Sequence, residues 1–337
     1  MSMWPHRARG ELRIRQTAIG VNFHDVYVRS GLYKTLTLPG IPGIEAAGVV
    51  EAIGPQVTGF STGDSIAYIT NQYGAYASER ILPARLAIRL PDAVDQDLAA
   101  SVLLKGLTAH MLLRQVHQVQ SGDTILVHAA SGGVGQLLCQ WASYLGATVI
   151  GTVGSEEKAE QARALGCAHT ILYREENFVE RVRQITNNQG VNVVYDSVGK
   201  DTFLGSLAAL ARLGHLVNFG QSSGSIDPIE VSILAPKSNS LTRPGVFHYT
   251  AERAMLESMA SELFALIERG VLAVRTGQVY PLAEAAHAHQ RWSPDHEWER
   301  CCSSPDGKCE ICRQGERISG IVRRSSASSL DLFPEQK

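Results

Sequence analysis

The chain has 337 residues, 44% of them hydrophobic and 19% charged, with a formal net charge of −2. That length and composition fit a globular protein with a large core and two domains, and argue against a disordered or fibrous class. No basic excess suggests nucleic acid as the main partner, no apolar run approaches the roughly 18 residues that span a bilayer, and the start "MSMWPHRARGELRIRQ" lacks a secretory apolar core. The expectation is a soluble cytoplasmic protein with no membrane partner.

Taken in chain order, the first hundred residues read as short strands and turns. "GIEAAGVVEAIG", "GDSIAYI" and "GAYASERILP" are β-type runs punctuated by glycine. "DQDLAASVLLKGLTAHMLLRQVH" then carries apolar residues at helical spacing. From Asp123 the pattern alternates. "TILVHAA", "TVIGTVG", "HTILY", "VNVVYDSV" and "HLVNFG" are apolar strand-like runs. Between them lie the helix-like "GQLLCQWASYLG", "EEKAEQARALG", "NFVERVRQITN" and "TFLGSLAALARLG". Repeated β-α units with buried strands predict an α/β fold with a doubly wound parallel sheet. A further helix is expected in "AERAMLESMASELFALIERG", near residue 251.

The first β-α turn reads Ala129-Ala130-Ser131-Gly132-Gly133-Val134-Gly135. It follows a predicted strand and opens a predicted helix. There the small residues Gly132 and Gly133, with Val134, let the backbone approach a pyrophosphate, and the helix N-terminus supplies free N–H groups and a positive dipole end. Sites for NAD place a carboxylate at the tip of the second strand, for the ribose 2′-hydroxyl. Here that tip is Val153-Gly154-Ser155, and Glu156 and Glu157 come later, where acids commonly cap a helix. Gly154 and Ser155, with Lys158 one turn in and Tyr173 ending the next strand, suit a 2′-phosphate, so NADPH is the expected cofactor. The competing reading is a solvated lysine and an ordinary strand-end tyrosine.

Cys139 and Cys167 sit in apolar surroundings and are expected to be reduced core residues. Cys301, Cys302, Cys309 and Cys312 crowd the tail. One CxxC with irregular partners is a weak zinc pattern.

In this order, "AIGVNFHDVYVRSGLY", "PGIEAAGVVEAIG", "LLKGLTAHMLL", "HAASGGVGQLLCQWA", "YDSVGKDTF" and "NFGQSSG" resemble the NADPH:quinone oxidoreductases, the zeta-crystallin-like branch of the medium-chain dehydrogenase/reductase superfamily. The resemblance spans residues 11 to 290. It implies a GroES-like, mostly β catalytic domain (1–104 and 244–290) around a Rossmann NADPH-binding domain (105–243), and a homodimer built through the Rossmann sheets. It further implies zinc-independent transfer from NADPH to a quinone or related electrophile. In zinc-dependent members the positions matching Asn22 and Ile44 are cysteine and histidine ligands. Asparagine is a poor zinc ligand and isoleucine cannot be one.

By the same resemblance, Asn22 lies beside the nicotinamide ribose, and Asp25, Tyr27 and Tyr33 are catalytic-pocket residues. Either tyrosine could donate to the reduced oxygen, or both only shape an aromatic wall. His24 is a pocket-wall or surface histidine, and Glu45 a structural carboxylate under the site. Thr108 contacts the nicotinamide side, and Phe219, Gly220, Ser222 and Ser223 run along the cofactor. Arg243 meets substrate or is a surface salt-bridge arginine. Two rivals stand beside quinone reduction: reduction of enone or enal double bonds, and a non-catalytic NADPH-binding role.

Both ends depart from the family. Family members carry about two dozen further N-terminal residues and end on a strand reading roughly "ESR-T-x-G-S-x-V-L-x-P". Shifting the frame by one base from Asp295 permits codons for "TMNGSAVVLP", and a two-base shift at the start permits "VDVAPPGPG". Both ends are therefore read as out-of-frame. Residues 291–337 are expected to form an aberrant, disordered tail, and the absent strands to leave sheet edges open.

Overall fold

The segment Glu11–Val21 buries every second residue along most of its length, the period of a strand with one face on a core. It is β1, the organising strand of the first sheet. The computed structural model describes residues 9–274, 277–290 and 320–323. After β1 come a short helix α1 (Phe23–Arg29), β2 (Glu45–Ile53), β3 (Ser65–Ile69), β4 (Glu79–Pro83) and β5 (Ala87–Arg89). The long helix α2 (Gln96–His110) follows, capped by Asp95, whose carboxylate accepts from Leu98 N at 2.7 Å.

The β-α alternation then appears: β6 (Thr124–Val127), α3 (Gly133–Tyr144), β7 (Thr148–Val153), α4 (Glu156–Ala164), β8 (His169–Leu172), α5 (Phe178–Ile185), β9 (Val191–Asp196), α6 (Phe203–Ala209), β10 (Leu210–Asn218) and β11 (Ser240–Thr242). These strands form a six-stranded sheet, ordered β11-β10-β9-β6-β7-β8 and parallel throughout. Sequence order runs outward in both directions from the β6–β9 junction, which defines a doubly wound Rossmann sheet. The chain closes with α7 (Val246–Tyr249), α8 (Arg253–Glu268), β12 (Val279–Pro281), α9 (Ala285–Gln290) and β13 (Gly320–Arg323).

The structure departs from the sequence reading at the end of α6 and in the tail. The helix expected through "ALARLG" stops at Ala209, and Leu210 is extended and buried against Val191 of β9. Its pairing with the parallel sheet outweighs the helical spacing. The tail was expected to be unstructured throughout, yet Gly320–Arg323 form a strand. It pairs antiparallel with Ala18–Val21 of β1 and parallel with β12. The open edge of β1 explains this, because its unpaired N–H and C=O groups accept an extended apolar segment. With β4 along its first half, β13 along its second and β2 on the other side, β1 has partners on both edges. The tail cysteines and the remaining residues of both unusual ends lie outside the described residues.

The helix α2 joins the two sheets. It packs against β1, β2 and β3 of the first sheet and against α3 and α8. Leu263 of α8 lies so close over Gly106 that a Cβ there would sit 2.3 Å from Leu263 Cδ2. The expected boundary after residue 104 falls inside this helix.

Candidate active site

Ligands of open α/β sheets bind at the carboxyl ends of the strands, where the strand order reverses. Here that point lies between the end of β6, continuing into His128–Gly132, and the end of β9, continuing into Ser197–Gly199. A buried polar network ties the ends together. His128 pairs with Thr152 Oγ1 at 2.9 Å and Ser206 Oγ at 3.0 Å, and Ser206 donates to Asp196 Oδ2 at 3.1 Å. Asp196 also accepts from Val198 N and Gly199 N, fixing the loop after β9.

The glycine turn has the geometry of a phosphate cradle. Ala129 takes a left-handed φ of 51°, Gly132 N-caps α3, and the amides of Gly133 and Val134 fall in its first turn. Gly135 serves packing instead, since a Cβ there would lie 2.2 Å from Ala129 O. At the tip of β7, Ser155 caps α4 by accepting from Lys158 N. Glu156 is turned to Arg163 and does not occupy the tip. Tyr173 is half exposed, and its hydroxyl would lie 2.9 Å from a Cβ on Gly154. Gly154, Ser155 and Tyr173 thus meet around one strand end, with Lys158 one turn into α4 and the Glu156 carboxylate paired with Arg163. Among the residues present, this donor set fits a phosphorylated ribose.

Opposite this crevice, Asn22 caps α1 and is 4% exposed. Its Nδ2 donates to Glu45 Oε2 at 2.7 Å, which leaves Oδ1 as the amide's remaining polar atom. Tyr27 and Tyr33 stand with ring centroids 5.0 Å apart. Both reach the loop after β10: Tyr27 Oη accepts from Gln221 N at 3.2 Å, and Tyr33 Oη from Gln221 Nε2 at 3.4 Å. Burial pushes the Tyr27 phenol up to about 12. His24 packs edge-on to Tyr33, meets Tyr73 Oη at 3.2 Å, and is pushed down by burial.

Arg243 is exposed, and its guanidinium is held by acceptors of the loop after β10 and by Tyr33. Its Nη1 donates to Asn218 O at 3.1 Å, to Asn218 Oδ1 and to Gly220 O at 2.9 Å, and its Nη2 to Tyr33 Oη at 3.3 Å. It clamps the Phe219–Ser223 loop to the tyrosine. Gly220 lets that loop run against the loop after β9, because a Cβ would fall 2.5 Å from Ser197 O. Ser222 and Ser223 extend the contact through their amides, and Ser223 Oγ is held by Val198 O and Asp201 N. Thr108 donates to Leu104 O at 2.8 Å, so it presents only an acceptor to the site.

Asp25 is the main departure. The sequence reading put it in the pocket, but it is 1% exposed, beneath α1. Its Oδ2 accepts from Asn22 N at 3.0 Å and from Tyr76 Oη at 3.3 Å, while Oδ1 is buried without a partner. Burial raises its carboxyl to about 7. Tyr76 in turn meets His289 Nε2 of α9 at 2.8 Å. Asp25 therefore holds the start of α1 and does not face the crevice. Sequence reasoning missed Gln221 and Lys105. Gln221 lay within a recognised motif and could have been found there. Lys105 lay within the motif "LLKGLTAHMLL" too, but its enclosure shows only once α2 packs.

The first sheet and the Rossmann sheet, with a nucleotide-type crevice between them, define a two-domain dinucleotide-dependent oxidoreductase. An alcohol dehydrogenase GroES-like domain matches residues 8–92, and a zinc-binding dehydrogenase domain matches residues 133–264. The chain is 48% identical over 280 residues to a quinone oxidoreductase of Pseudomonas aeruginosa, covering 83% of this chain and 86% of that protein. It is 46% identical over 288 residues to a 2-haloacrylate reductase of Burkholderia sp., covering 83% and 86%. The crystal structure of Escherichia coli quinone oxidoreductase complexed with NADPH superposes with a TM-score of 0.86 at 39% identity, covering 96% of this chain and 94% of that one. The chain belongs to the quinone oxidoreductase family of the medium-chain dehydrogenase/reductase superfamily.

Proposed function

We propose that this protein is a zinc-independent, NADPH-dependent reductase of quinones. The observation that carries this reading is the bridge from Tyr27 and Tyr33 to Gln221. It sets two phenols from one domain against the loop that borders the nucleotide crevice of the other. NADPH, when bound, supplies the hydride. Gly132, Gly133 and Val134 would hold its pyrophosphate, and Gly154, Ser155, Lys158 and Tyr173 its 2′-phosphate. Thr108, Phe219, Gly220, Ser222 and Ser223 would border the nicotinamide half.

The tyrosines are suited to serve the acceptor oxygen. The Tyr27 oxygen accepts from Gln221 N, so its own proton is left to donate. Both Tyr33 lone pairs are engaged by Gln221 and Arg243, with the same consequence. A quinone becomes a delocalised aromatic anion on reduction, so hydrogen bonds suffice where other members use a metal. Asn22 is committed to Glu45, and Ile44 is a buried hydrocarbon, so neither position supplies a zinc ligand.

A second reading, reduction of an activated carbon–carbon double bond, is favoured by the 46% identity to the 2-haloacrylate reductase. Steady-state rates of the purified chain with NADPH and either 1,4-benzoquinone or an α,β-unsaturated ketone separate the two. The quinone is expected to have the higher kcat/KM, and the reverse order would transfer the assignment to the second reading.

We also propose a homodimer formed through the Rossmann sheet. Near the β11 edge, Leu204, Leu213, Val231 and Ile233 are exposed, and an open depression of about 540 Å³ is lined by Leu204, Ile226, Ile229 and Ile233. Among the described residues, no helix is long and apolar enough to cross a membrane. The cytoplasm is the proposed compartment, supported by the buried, unbonded thiols of Cys139 and Cys167, with sulfurs 3.2 Å apart. The proposed domain division is 1–104 with 244–290, and 105–243.

A further inference from the structure

Lys105 is a buried lysine that the mechanism above does not use. It is 6% exposed, in the middle of α2. Its Nζ donates to Ser101 O at 3.1 Å and lies 4.0 Å from Glu45 Oε2. Its stem passes over the start of the phosphate-cradle helix, so that a Cβ on Gly133 would lie 3.0 Å from Lys105 Cδ. Glu45 is 0% exposed, and its two oxygens are divided. Oε1 accepts from Leu104 N at 2.7 Å, and Oε2 accepts from Asn22 Nδ2 at 2.7 Å. Gly20 makes room for this carboxylate, since a Cβ there would fall 2.4 Å from Oε2.

The orientation of an asparagine amide follows from what its partner can offer. An ionised carboxylate only accepts, so it fixes Nδ2 toward Glu45 and Oδ1 away from it. A protonated carboxyl can instead donate to Oδ1, which turns the amide over. We propose that Lys105 is a positioning residue for the reaction: by keeping Glu45 ionised, it fixes the Asn22 carboxamide at the start of α1 with Nδ2 on the carboxylate and Oδ1 turned away from it. This rests on the proposed NADPH-dependent reading of the site.

The surroundings support the assignment. Burial drives both Glu45 and Lys105 toward their neutral forms, while their mutual attraction and the N–H groups of Leu104 and Asn22 favour the charged carboxylate. The other titratable groups facing it are Asp25 of α1 and Tyr76, and neither supplies a positive charge. Lys105 is the cation that answers this carboxylate, and one side chain therefore links the cradle helix, the carboxylate and the amide.

The test is infrared spectroscopy of the full chain, joined to kinetics. Wild type is expected to show no protonated-carboxyl carbonyl band that disappears in Glu45→Gln. Lys105→Met is expected to show such a band at neutral pH, and to lose it as pH is raised. In parallel, kcat/KM of Lys105→Met should fall about tenfold at neutral pH and recover as pH rises. Lys105→Met/Glu45→Gln should show no such recovery. A protonated Glu45 in wild type at neutral pH would overturn the proposal, and that measurement does not require the lysine variant to fold. A Lys105→Met pH profile parallel to that of wild type would also overturn it. Because the infrared arm needs neither NADPH nor turnover, failure of the functional reading appears separately, as an inactive wild type with an ionised Glu45.

Discussion

The backbone amide of Gln221, on the loop after β10, donates to the hydroxyl of Tyr27, on α1, at 3.2 Å. One hydrogen bond thus joins the mostly β half of the molecule to the Rossmann half, at the place proposed for chemistry. Tyr27→Phe removes the acceptor and leaves Gln221 N unanswered. A loss of about 1–3 kcal/mol of transition-state stabilisation is expected, read as a roughly 5- to 150-fold drop in kcat/KM with protein stability lowered less. Because burial holds the phenol up to about 12, wild type should show no Tyr27-dependent basic limb between about pH 6 and 10. Comparing the two pH profiles checks both points.

Asp25 makes stability depend on pH in an unusual direction. Burial raises its folded-state carboxyl to about 7, above the roughly 3.9 of an unfolded chain. The native state therefore binds more protons than the unfolded state across that window. Its contribution is fully present below about pH 4, falls as pH rises, and is lost above about pH 7. His289, pushed down to about 4 mainly by burial, slopes the other way below about pH 6.5. The Asp25 term is isolated in a difference: Asp25→Asn should gain on wild type between about pH 4 and 7, by up to about 4 kcal/mol. Urea unfolding at several pH values measures it, and a constant difference would reject the assignment.

Cofactor choice should reside at the tip of β7. Lys158→Ala is expected to weaken NADPH binding about tenfold or more and leave NADH binding nearly unchanged, because a charge-assisted bond to a phosphate contributes about 1.5–3 kcal/mol. Cofactor fluorescence titrations of the two proteins provide the comparison. Gly154→Val should weaken both cofactors, since its Cβ would press on the Tyr173 hydroxyl.

Metal removal should have no effect. With Asn22 hydrogen-bonded to Glu45 and Ile44 enclosed by hydrocarbon, treatment with a strong chelator is expected to leave quinone-dependent turnover unchanged. Added Zn²⁺ should not raise it. Loss of activity on chelation, restored by zinc, would contradict the account.

Much of the Rossmann half was legible in the sequence because its signals are local. The apolar runs from Thr124 onward became parallel strands, and Ala129–Gly135 became the turn that caps α3. The error at Leu210 arose where pairing with Val191 prevailed over helical spacing. The site was harder to read, because its parts meet only through tertiary contacts. Nothing near Asp25 in sequence announces Tyr76 or His289, whose packing buries it. Nothing beside Arg243 announces the three carbonyl-type acceptors that immobilise it. Strand β13 was illegible for a related reason: four residues of "GIVR" carry little signal without the open edge of β1.

The most direct measurement is the initial rate of the purified, chelator-treated chain with 1,4-benzoquinone and either NADPH or NADH. The account predicts quinone-dependent oxidation of NADPH, with kcat/KM for NADPH at least about tenfold above that for NADH. Equal use of the two cofactors, or no quinone-dependent oxidation by a protein that binds NADPH, would contradict it.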